Sequence, residues 1–380
     1  MQLVLTEDQT MLARTAGAFM TEHSPISRLR KLRDARDERG YSLEVYRKLA
    51  ELGWTAIAFS EDDGGLGMGL AEIVLVTEAM GRALAPEPLI PSLLLAGQAL
   101  ARAGSATLKQ TWLAPAIAGE KVLALAHLEP GARFDLAKVA TRADRVTGGY
   151  RVSGEKHQVW GGQLADAYVV SARVSGASGE REGIALFLVP ASAKGVSSTP
   201  QVRVDSQNAA IVRLDGVELR DGDLLGTAGN GYAVLADAVD RATVALCGEM
   251  LGGASEAFDR TVAYLRDRKQ FGVPIGSFQA LKHRAARMYI EIELSRSAVM
   301  AAARALDEGQ ADAASLVSLA KARLSETYCQ VANEAVQMHG GIGMTDEHEI
   351  GFFMKRARAA EMTFGDAAFH RERFAALAGF

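Results

Sequence analysis

Residues 264–283 read YLRDRKQFGVPIGSFQALKH. The glycine-containing middle of this segment is a short break between two stretches whose apolar residues recur at helical spacing. The stretch before the break predicts a helix over residues 232–268, and the stretch after it predicts one over residues 277–306. Further helices are predicted over residues 312–339 and from about Asp366 onward. Because four long helices with short connections are typical of an antiparallel bundle, we expect a C-terminal four-helix bundle.

The hydrophobic period changes at two points N-terminal to this bundle. Residues 121–230 contain short runs rich in strand-favouring residues, namely VLALAHL, KVATRA, YRVSGEKHQVW, AYVVSARV and IALFLV. Before residue 121 the helical period returns. We therefore predict an α+β multidomain fold: an all-α N-terminal domain over 1–120, a small β-barrel or β-sandwich domain over 121–230, and the bundle over 231–380.

Composition excludes several classes of protein. The chain has 380 residues, 48% of them hydrophobic and 23% charged, which is typical of a globular protein of two or three domains. The longest uncharged stretch, residues 88–101, is interrupted by polar residues and is too short to span a bilayer. The N-terminal sequence MQLVLTEDQTML lacks the basic start and cleavage site of a secretory signal. We expect a cytoplasmic protein without a membrane segment.

Charge and cysteine content make nucleic-acid and metal binding unlikely functions for this sequence. The net charge is −4, with Lys and Arg scattered rather than gathered on one face. Cys247 and Cys329 form no CxxC motif and are expected to be buried thiols. His339 and His348 lack the i, i+4 spacing of a helical metal pair, so we expect no metal site.

Glycine motifs for nucleotides are also missing. The sequence has neither GxGxxG after a strand nor GxxxxGK[ST], and its strand runs do not alternate with helices, so a doubly wound nucleotide-binding sheet is not expected. The cluster GGIG at residues 340–343 follows a predicted helix. Taken alone, it predicts a helix C-cap, because glycine adopts positive φ without steric cost.

Several long motifs nevertheless resemble one family over nearly the whole chain. They are LAELGWTAIAFSEDDGGLGMGLAEIVLVTEAMGRALAPEP at 49–88, AHLEPGARFD at 126–135, GEKHQVWGGQLADAYVVSAR at 154–173, the stretch at 264–283, and VANEAVQMHGGIG at 331–343. With the order of helical, β and bundle segments, they resemble the acyl-CoA dehydrogenase family. The resemblance implies FAD as cofactor and an acyl-CoA thioester as substrate.

The same resemblance implies a reaction. A carboxylate removes the α proton of the thioester while the β hydrogen passes as hydride to the flavin, giving a trans-2-enoyl-CoA. Because the α proton is weakly acidic, the base must be aimed and the thioester oxygen stabilised. The flavin carries the hydride chemistry, and the protein supplies position and electrostatics.

Each FAD in this family lies between two subunits, so a chain offers two different half-sites. The half given to a neighbour's flavin corresponds to residues suited to phosphate, adenine and close backbone approach. We predict that it contains Arg268, Gln270, Phe271, Ile275, Gln279, Gln337, Gly340 and Gly341.

The half that would hold the chain's own isoalloxazine ring departs from the family pattern. Leu128 replaces a Thr or Ser before Glu129-Pro130, so a hydroxyl that would bond the flavin is missing. Arg133 and Phe134 replace a small Gly-Ser pair. Further on, Gln158-Val159-Trp160 stands where the family has Trp-Ile-Thr or Trp-Ile-Ser. These changes predict a crowded pocket.

The catalytic carboxylate is absent from its usual places. Where the commonest pattern has a glutamate before Gly-Thr, this sequence has Phe364 before Gly365-Asp366. At the alternative position, early in the first bundle helix, the alignment places Ala242, with Asp240 two residues earlier. We interpret Asp366 as a helix N-cap and leave the catalytic residue unknown; the other polar candidates are Glu249, Glu361, His127 and His157.

Three hypotheses follow. In the first, the chain is the small, chemically silent subunit of a heteromeric acyl-CoA dehydrogenase, a heterotetramer with a larger homologue, as the MTFGD sequence at 362–366 resembles such subunits. Such enzymes often act on steroid side-chain or dicarboxylic acyl-CoAs. In the second, the chain self-associates into a complete enzyme with a displaced base, Asp240 first among the candidates. In the third, it is a CoA-binding scaffold without enzymatic activity.

Overall fold

The computed structural model of the chain describes residues 4–380. By their contacts, these residues form two compact units. The first contains the residues up to Lys31, Gly69–Ala85 and Thr243–Phe380, and the second contains Leu32–Met68 and Pro86–Ala242. Each unit is described by itself. The three-domain division at residues 120 and 230 stays a prediction from the hydrophobic period.

Helices dominate both ends of the chain. In order they are α1 (Glu7–His23), α2 (Ile26–Asp34), α3 (Leu43–Glu51), α4 (Leu70–Arg82), α5 (Gln98–Ala103), α6 (Ala106–Leu108), α7 (Ala114–Ile117), α8 (Gly231–Asp267), α9 (Gln279–Asp307), α10 (Ala313–His339), α11 (Ile350–Met362) and α12 (Ala367–Leu377). Two π-helical segments, Leu89–Gly97 and Lys109–Leu113, continue directly into α5 and α7. A 3₁₀ turn, Gly340–Met344, follows α10.

The first unit is a helical body with α10 packed against α9, α11 and α12. Its helices are fixed by local caps and by buried polar pairs. At the start of α4, the backbone N–H of Leu70 donates to the Asp307 carboxylate at 2.8 Å. Between α8 and α11, Arg356 donates two hydrogen bonds to Glu249, at 2.6 and 3.0 Å, and both side chains are buried. Pairs of this kind stabilise one packing arrangement because either partner alone would be an uncompensated buried charge.

The second unit contains an eight-stranded, mostly antiparallel sheet. Its strands are β1 (Leu123–Ala126), β2 (Arg142–Val146), β3 (Gly149–Trp160), β4 (Ala167–Arg173), β5 (Ile184–Pro190), β6 (Val196–Gln201), β7 (Ala209–Arg220) and β8 (Leu224–Leu225). The order is β6-β7-β3-β2-β4-β5-β8, with β1 parallel to β4. Residues such as Tyr168 and Phe187 fill its apolar core. A small separate hairpin pairs β9 (Lys269–Gln270) with β10 (Val273–Pro274) in the first unit.

The four predicted bundle helices are confirmed, each within a few residues of its predicted bounds. The segment between residues 345 and 366 contains one more helix, α11, which the sequence analysis did not predict. Its four charged residues all follow its first five residues, and its buried apolar residues Ile350, Phe353, Ala357 and Ala360 have helical spacing, so a signal for it was present. In the mixed fold, the helical and β regions occur in the predicted order.

Three of the five quoted runs are strands over nearly their full length, VLALAHL contains the four-residue strand β1, and KVATRA contains only the start of β2. Its first residues lie in a loop, and the strand begins only at Arg142. The cause is Arg173, which is fully buried and donates to the carbonyl oxygens of Ala137 and Val139. The loop backbone is thus satisfied by a guanidinium instead of a strand ladder. The quoted runs also missed β6 and β7.

Two absences hold for residues 4–380. None of the helices in this range combines the length and the apolar character needed to cross a bilayer. Across the same range, no three His, Cys, Asp or Glu side chains are grouped so as to hold a metal ion.

Candidate functional site

The hairpin after α8 presents an aromatic side chain to solvent. Phe271 and Gly272 form its two-residue tip, and both have left-handed backbones, with φ of 53° and 80°. This is the type I′ geometry that favours Asn-Gly and strains a phenylalanine. The Phe271 side chain is 91% exposed and therefore gains nothing from burial in the isolated chain. A strained backbone that carries an exposed aromatic ring indicates a binding role.

The turn after α10 is open on its outer side. Gly340 has φ 65° and ψ −143°, a conformation that residues with a Cβ rarely adopt, and its N–H donates to the carbonyl of Gln337. It therefore caps the helix, as predicted. A Cβ placed on either Gly340 or Gly341 would meet no atom within 4 Å. The space beside the paired glycines is therefore available to a ligand that approaches the backbone closely.

Two contacts inside the first unit join the helices on either side of the hairpin to α10, the helix that ends at the glycine turn. The ring of Tyr264, in the last turn of α8, stacks on the ring of His339 at the end of α10, with centroids 4.4 Å apart. Arg284 of α9 pairs with Glu334 of α10. These contacts bring the two predicted segments to one region of the unit.

The eight residues predicted for this half-site lie on its surface. Arg268, Gln270, Phe271, Gln279, Gln337, Gly340 and Gly341 are exposed, and Ile275 is half-buried. Within residues 4–380, the Arg268 side chain has no carboxylate within 4.0 Å. An unpaired guanidinium, an exposed aromatic ring, an aliphatic side chain and open glycine backbone fit the phosphate and adenine parts of a dinucleotide.

The predicted ring half-site is different, because its polar groups bond one another. Glu129, 9% exposed, accepts hydrogen bonds from the ammonium of Lys156 at 2.6 Å, from Ala140 N at 2.7 Å and from Thr141 N at 3.0 Å. Lys156 also donates to the Ser171 hydroxyl at 3.1 Å. The network leaves no carboxylate oxygen of Glu129 without a donor, so this residue is structural.

Burial and charge set the pKa values around this network. Burial would raise the pKa of Glu129, but Lys156 and the backbone donors hold it below its ordinary value. Burial lowers the pKa of Lys156 to about 8, despite the opposing attraction of Glu129. Burial, with the Lys156 charge next in importance, lowers the pKa of His127 to about 4. His127 is therefore neutral at pH 7 and carries no charge toward a ligand.

The backbone around Trp160 is also engaged. β3 has a bulge between Lys156 and Val159, and within it Gln158 has φ 49°. The N–H of Gln158 donates to the Gln201 side chain at 2.7 Å, and the carbonyl of Leu128 accepts from His157 N at 2.8 Å. Trp160 itself is only 8% exposed. These groups already have partners within the β domain.

Residue 364 belongs to a tightly held turn between α11 and α12. Phe364 has a left-handed backbone, φ 62°, and its carbonyl accepts a hydrogen bond from His370 Nε2 at 3.2 Å. Lys321, which is fully buried, donates to the carbonyls of Glu361 and Gly365 at 3.0 and 2.7 Å and to Ser325 Oγ at 3.2 Å. Burial lowers the pKa of Lys321 to about 8. The turn is ordered, but its residue 364 has no proton-accepting side chain.

The remaining carboxylates near these segments have structural partners. Both oxygens of Glu249 accept from Arg356. Asp366 caps α12 by accepting from Phe369 N at 2.8 Å, which confirms the predicted N-cap. Glu361 pairs with Arg358 and accepts from the Cys329 thiol. At the alternative base position Ala242 is fully buried, whereas Asp240 is a carboxylate with 9% exposure.

Sequence reasoning missed Lys321 and His370, which shape the turn at residue 364. A signal for Lys321 existed: it lies in an apolar helical run with Val317, Ala320 and Leu324 at the spacings of one buried face. A lysine on such a face must find acceptors inside the protein. Nothing in the local sequence predicts that those acceptors are the carbonyls of Glu361 and Gly365.

Comparisons with known proteins cover almost the whole chain. Models of the N-terminal, middle and C-terminal domains of acyl-CoA dehydrogenase match residues 6–120, 124–217 and 229–378. Acyl-CoA dehydrogenase FadE27 of Mycobacterium tuberculosis is 31% identical over 337 residues, which cover 87% of this chain and 86% of the relative.

Solved structures agree with this likeness. The ChsE4-ChsE5 complex from Mycobacterium tuberculosis contains a chain with a TM-score of 0.89 and 29% identity, covering 100% of both chains. A variant of the Tcur3481-Tcur3483 steroid ACAD has a TM-score of 0.87 and 32% identity, covering 98% of both chains. This chain belongs to the acyl-CoA dehydrogenase family of FAD-dependent oxidoreductases.

Proposed function

We propose that this chain is the small, chemically silent subunit of a heteromeric acyl-CoA dehydrogenase. A larger homologous subunit would supply the catalytic carboxylate and the pocket for the isoalloxazine ring. This chain would complete the adenosine end of the FAD bound by that partner. Together they would carry out α,β-dehydrogenation of an acyl-CoA to a trans-2-enoyl-CoA.

The observation that carries this proposal is the exposed, strained tip of the hairpin. Phe271 stands 91% exposed on a left-handed backbone, and Arg268, at the base of the same hairpin, has no carboxylate partner within the described residues. In the isolated chain the Phe271 ring makes an edge contact with the Phe278 ring, with centroids 6.1 Å apart, and it stays almost fully exposed. Both features become favourable when a second subunit brings a dinucleotide over them, since the ring then gains apolar contact and the guanidinium gains phosphate.

The closed state of the ring half-site supports the silent role. Glu129 and Lys156 satisfy each other inside the β domain, and residue 364 is a phenylalanine. In a self-sufficient enzyme, a carboxylate must be within reach of the α proton. Glu249 and Asp366 are already engaged, one by Arg356 and the other by the start of α12.

Two relatives favour a heteromeric assembly. The ChsE4-ChsE5 structure is a complex of two differently named proteins, and the Tcur3481-Tcur3483 steroid ACAD also carries two names. Both are similar to this chain over nearly its full length. By this likeness we include steroid-derived acyl-CoAs among the substrates to be tested.

FAD, when bound, supplies the hydride chemistry. The residues of this chain would act only on its distant end. Arg268 would bind the pyrophosphate, Phe271 and Ile275 would contact the adenine, and Gly340 and Gly341 would admit the ligand close to the backbone. Gln270, Gln279 and Gln337 would donate or accept hydrogen bonds at the same end.

Co-expression with a larger acyl-CoA dehydrogenase homologue tests this proposal. We expect the two chains to co-purify as one yellow complex that oxidises an acyl-CoA. Arg268→Ala and Arg266→Ala are a matched pair of variants, because both arginines are exposed and lie two residues apart. The pair distinguishes the loss of a binding residue from the loss of one positive charge. Only the first variant should lose flavin. Retention of flavin by the Arg268→Ala complex would contradict the assigned half-site.

A second candidate function places the base at Asp240, a carboxylate that is 9% exposed and lies two residues before the alternative base position. In this alternative the chain is a self-associating enzyme with Asp240 as the base. Purified chain that forms its own oligomer, binds FAD and oxidises acyl-CoA would favour it. Loss of that activity in Asp240→Asn, with flavin retained, would identify the base.

A further inference from the structure

A cluster of three rings lies directly behind the glycine turn. His339, 3% exposed, stacks on Tyr264 of α8 with centroids 4.4 Å apart and lies 4.6 Å from the ring of His348. His339 is the last residue of α10, and His348 lies two residues before α11. The cluster therefore connects the end of α8, the end of α10 and the segment between the glycine turn and α11.

Hydrogen bonds fix the neutral form of each histidine. His339 Nδ1 lies 2.7 Å from the carbonyl of Ala335, so this nitrogen carries the proton. His348 Nδ1 accepts from the backbone N–H of Ile350 at 3.2 Å, so its neutral ring carries the proton on Nε2. A proton added to His348 would occupy Nδ1 and remove the bond that satisfies the first turn of α11.

The charges that face the pair make its protonation unfavourable. Arg260 of α8 lies near both rings, and its guanidinium pairs with Glu349, beside His348, at 2.8 Å. Burial is the main cause that lowers the pKa of each histidine, with Arg260 acting in the same direction. For His339 the neighbouring His348 adds a further lowering, and for His348 the Glu349 carboxylate opposes it.

We propose that His339 is a positioning residue of the adenosine half-site. Its ring contacts hold the end of α8, which leads into the hairpin, against the end of α10, where the glycine turn begins, and these contacts are released in acid. The inference rests on the proposed function, because the two joined segments contain the predicted dinucleotide residues. His339 itself is too buried to touch the ligand. It acts by holding Tyr264 and the backbone of Gly340 in one arrangement.

The direction of the pH dependence follows from the contacts. Protonation of either ring places a positive charge beside Arg260 and the other histidine. Protonation of His348 also breaks its bond to the N–H of Ile350. The stacked arrangement is therefore favoured above the ordinary histidine pKa and weakened as the pH falls below it. Dinucleotide affinity should fall in the same direction. A histidine that touched phosphate directly would show the opposite trend, since its charge would attract the ligand.

Hydrogen exchange of the full chain, at about pH 7.5 and about pH 5.5 and corrected for the intrinsic rate, tests this inference. The peptides to follow cover residues 260–279 and 337–350. We expect several-fold faster exchange in both segments at the lower pH. His339→Phe keeps a ring that stacks but does not titrate, and it leaves His348 titratable, so it should reduce this pH dependence without abolishing it. His283 of α9 is exposed, so the control variant His283→Phe should leave the pH dependence of exchange unchanged.

The probe for the bound state is ADP, the adenosine diphosphate part of FAD, added to the flavin-free complex of this chain with the larger homologue. Protection of both segments by ADP at the higher pH, lost at the lower pH in the wild type but largely kept in His339→Phe, supports the proposal. Exchange that does not depend on pH, or ADP protection that strengthens in acid, overturns the positioning role of His339. Acid-sensitive exchange without any ADP protection overturns instead the half-site, and with it the proposed function.

Discussion

The hairpin around Phe271 and the network around Glu129 use polar and aromatic residues in opposite ways. At the hairpin, the side chains of Phe271 and Arg268 face solvent, and the backbone at the tip is strained. In the β domain, Glu129 and Lys156 are buried and bond each other. The first region is incomplete without a ligand, whereas the second is complete without one.

The contrast agrees with the proposed function, in which the chain keeps a binding role without a chemical one. Surface residues such as Phe271 cost the isolated chain some backbone strain, so their presence points to a partner. Buried pairs such as Glu129 and Lys156 stabilise one packing of the fold. The predictions below separate these two kinds of residue by what each variant loses.

The largest expected effect is on stability, from breaking the buried pair. Lys156→Met leaves the Glu129 carboxylate buried without its cation and should lower the free energy of unfolding by about 3–5 kcal/mol. Denaturant unfolding followed by circular dichroism measures it. The control is Arg151→Met, whose pair with Glu218 is exposed and should contribute at most about 1 kcal/mol. Equal losses in the two variants would show that the β-domain network is not structural.

The next effect is on cofactor affinity in the heteromeric complex. Phe271→Ala should weaken FAD binding by roughly tenfold or more, since a stacked aromatic contact contributes on the order of 1–3 kcal/mol. Its free energy of unfolding should not fall, because the ring is almost fully exposed. Flavin release by the complex and unfolding of the chain alone are the two measurements. Lost stability with unchanged flavin affinity would reverse the comparison between the two regions.

A third effect appears in acid, once in each of the two compact units. Burial lowers the pKa of His127 to about 4 and that of His370 to about 3. Below the ordinary pKa of about 6.5 the unfolded chain takes up protons that these buried rings exclude, so stability falls as pH falls. At pH 5 each ring should account for about 2 kcal/mol of the loss.

His370→Gln keeps a donor for the Phe364 carbonyl but removes the titration, so it should lose less stability between pH 7 and pH 5 than the wild type does. Chemical denaturation at the two pH values measures the difference. His283→Gln, at an exposed position, serves as the control. Parallel losses in the wild type and His370→Gln would show that the ring titrates normally in the folded chain.

The smallest expected effect concerns Asp240. In the heteromeric complex Asp240→Asn should leave turnover nearly unchanged, because the larger subunit would supply the base. Removal of a true general base lowers the rate by roughly 10²–10⁴-fold. Steady-state oxidation of acyl-CoA by the complex, with flavin content measured in parallel, distinguishes the two outcomes. A loss in that range with flavin retained would place the base in this chain.

Much of the fold was predictable because it depends on periodicity. The four predicted bundle helices and four of the eight strands of the large sheet follow from apolar spacing, and Asp366 follows from cap chemistry. α11 was missed although its buried apolar residues have helical spacing. Residues 138–141 were misread as part of a strand; there a buried arginine far along the chain, Arg173, takes the carbonyl of Val139.

The candidate site also has features that are visible in the sequence and contacts that are not. The exposed half-site stays a prediction from its motifs, which residue type and local spacing make visible in the sequence. The contacts that shape it, such as the stack of Tyr264 on His339, join residues far apart in sequence and leave no local pattern. The same holds for Lys321, whose acceptors are backbone carbonyls that any sequence would provide.

Flavin stoichiometry tests the central claim most directly, because a chain with one competent half-site cannot hold FAD by itself. The measurement is bound FAD per chain, for this protein alone and for its complex with the larger homologue, together with acyl-CoA oxidation. We predict no bound FAD and no turnover for the chain alone, and one FAD per pair of unlike chains in an active complex. One FAD per chain in the protein alone, with turnover, would contradict the account.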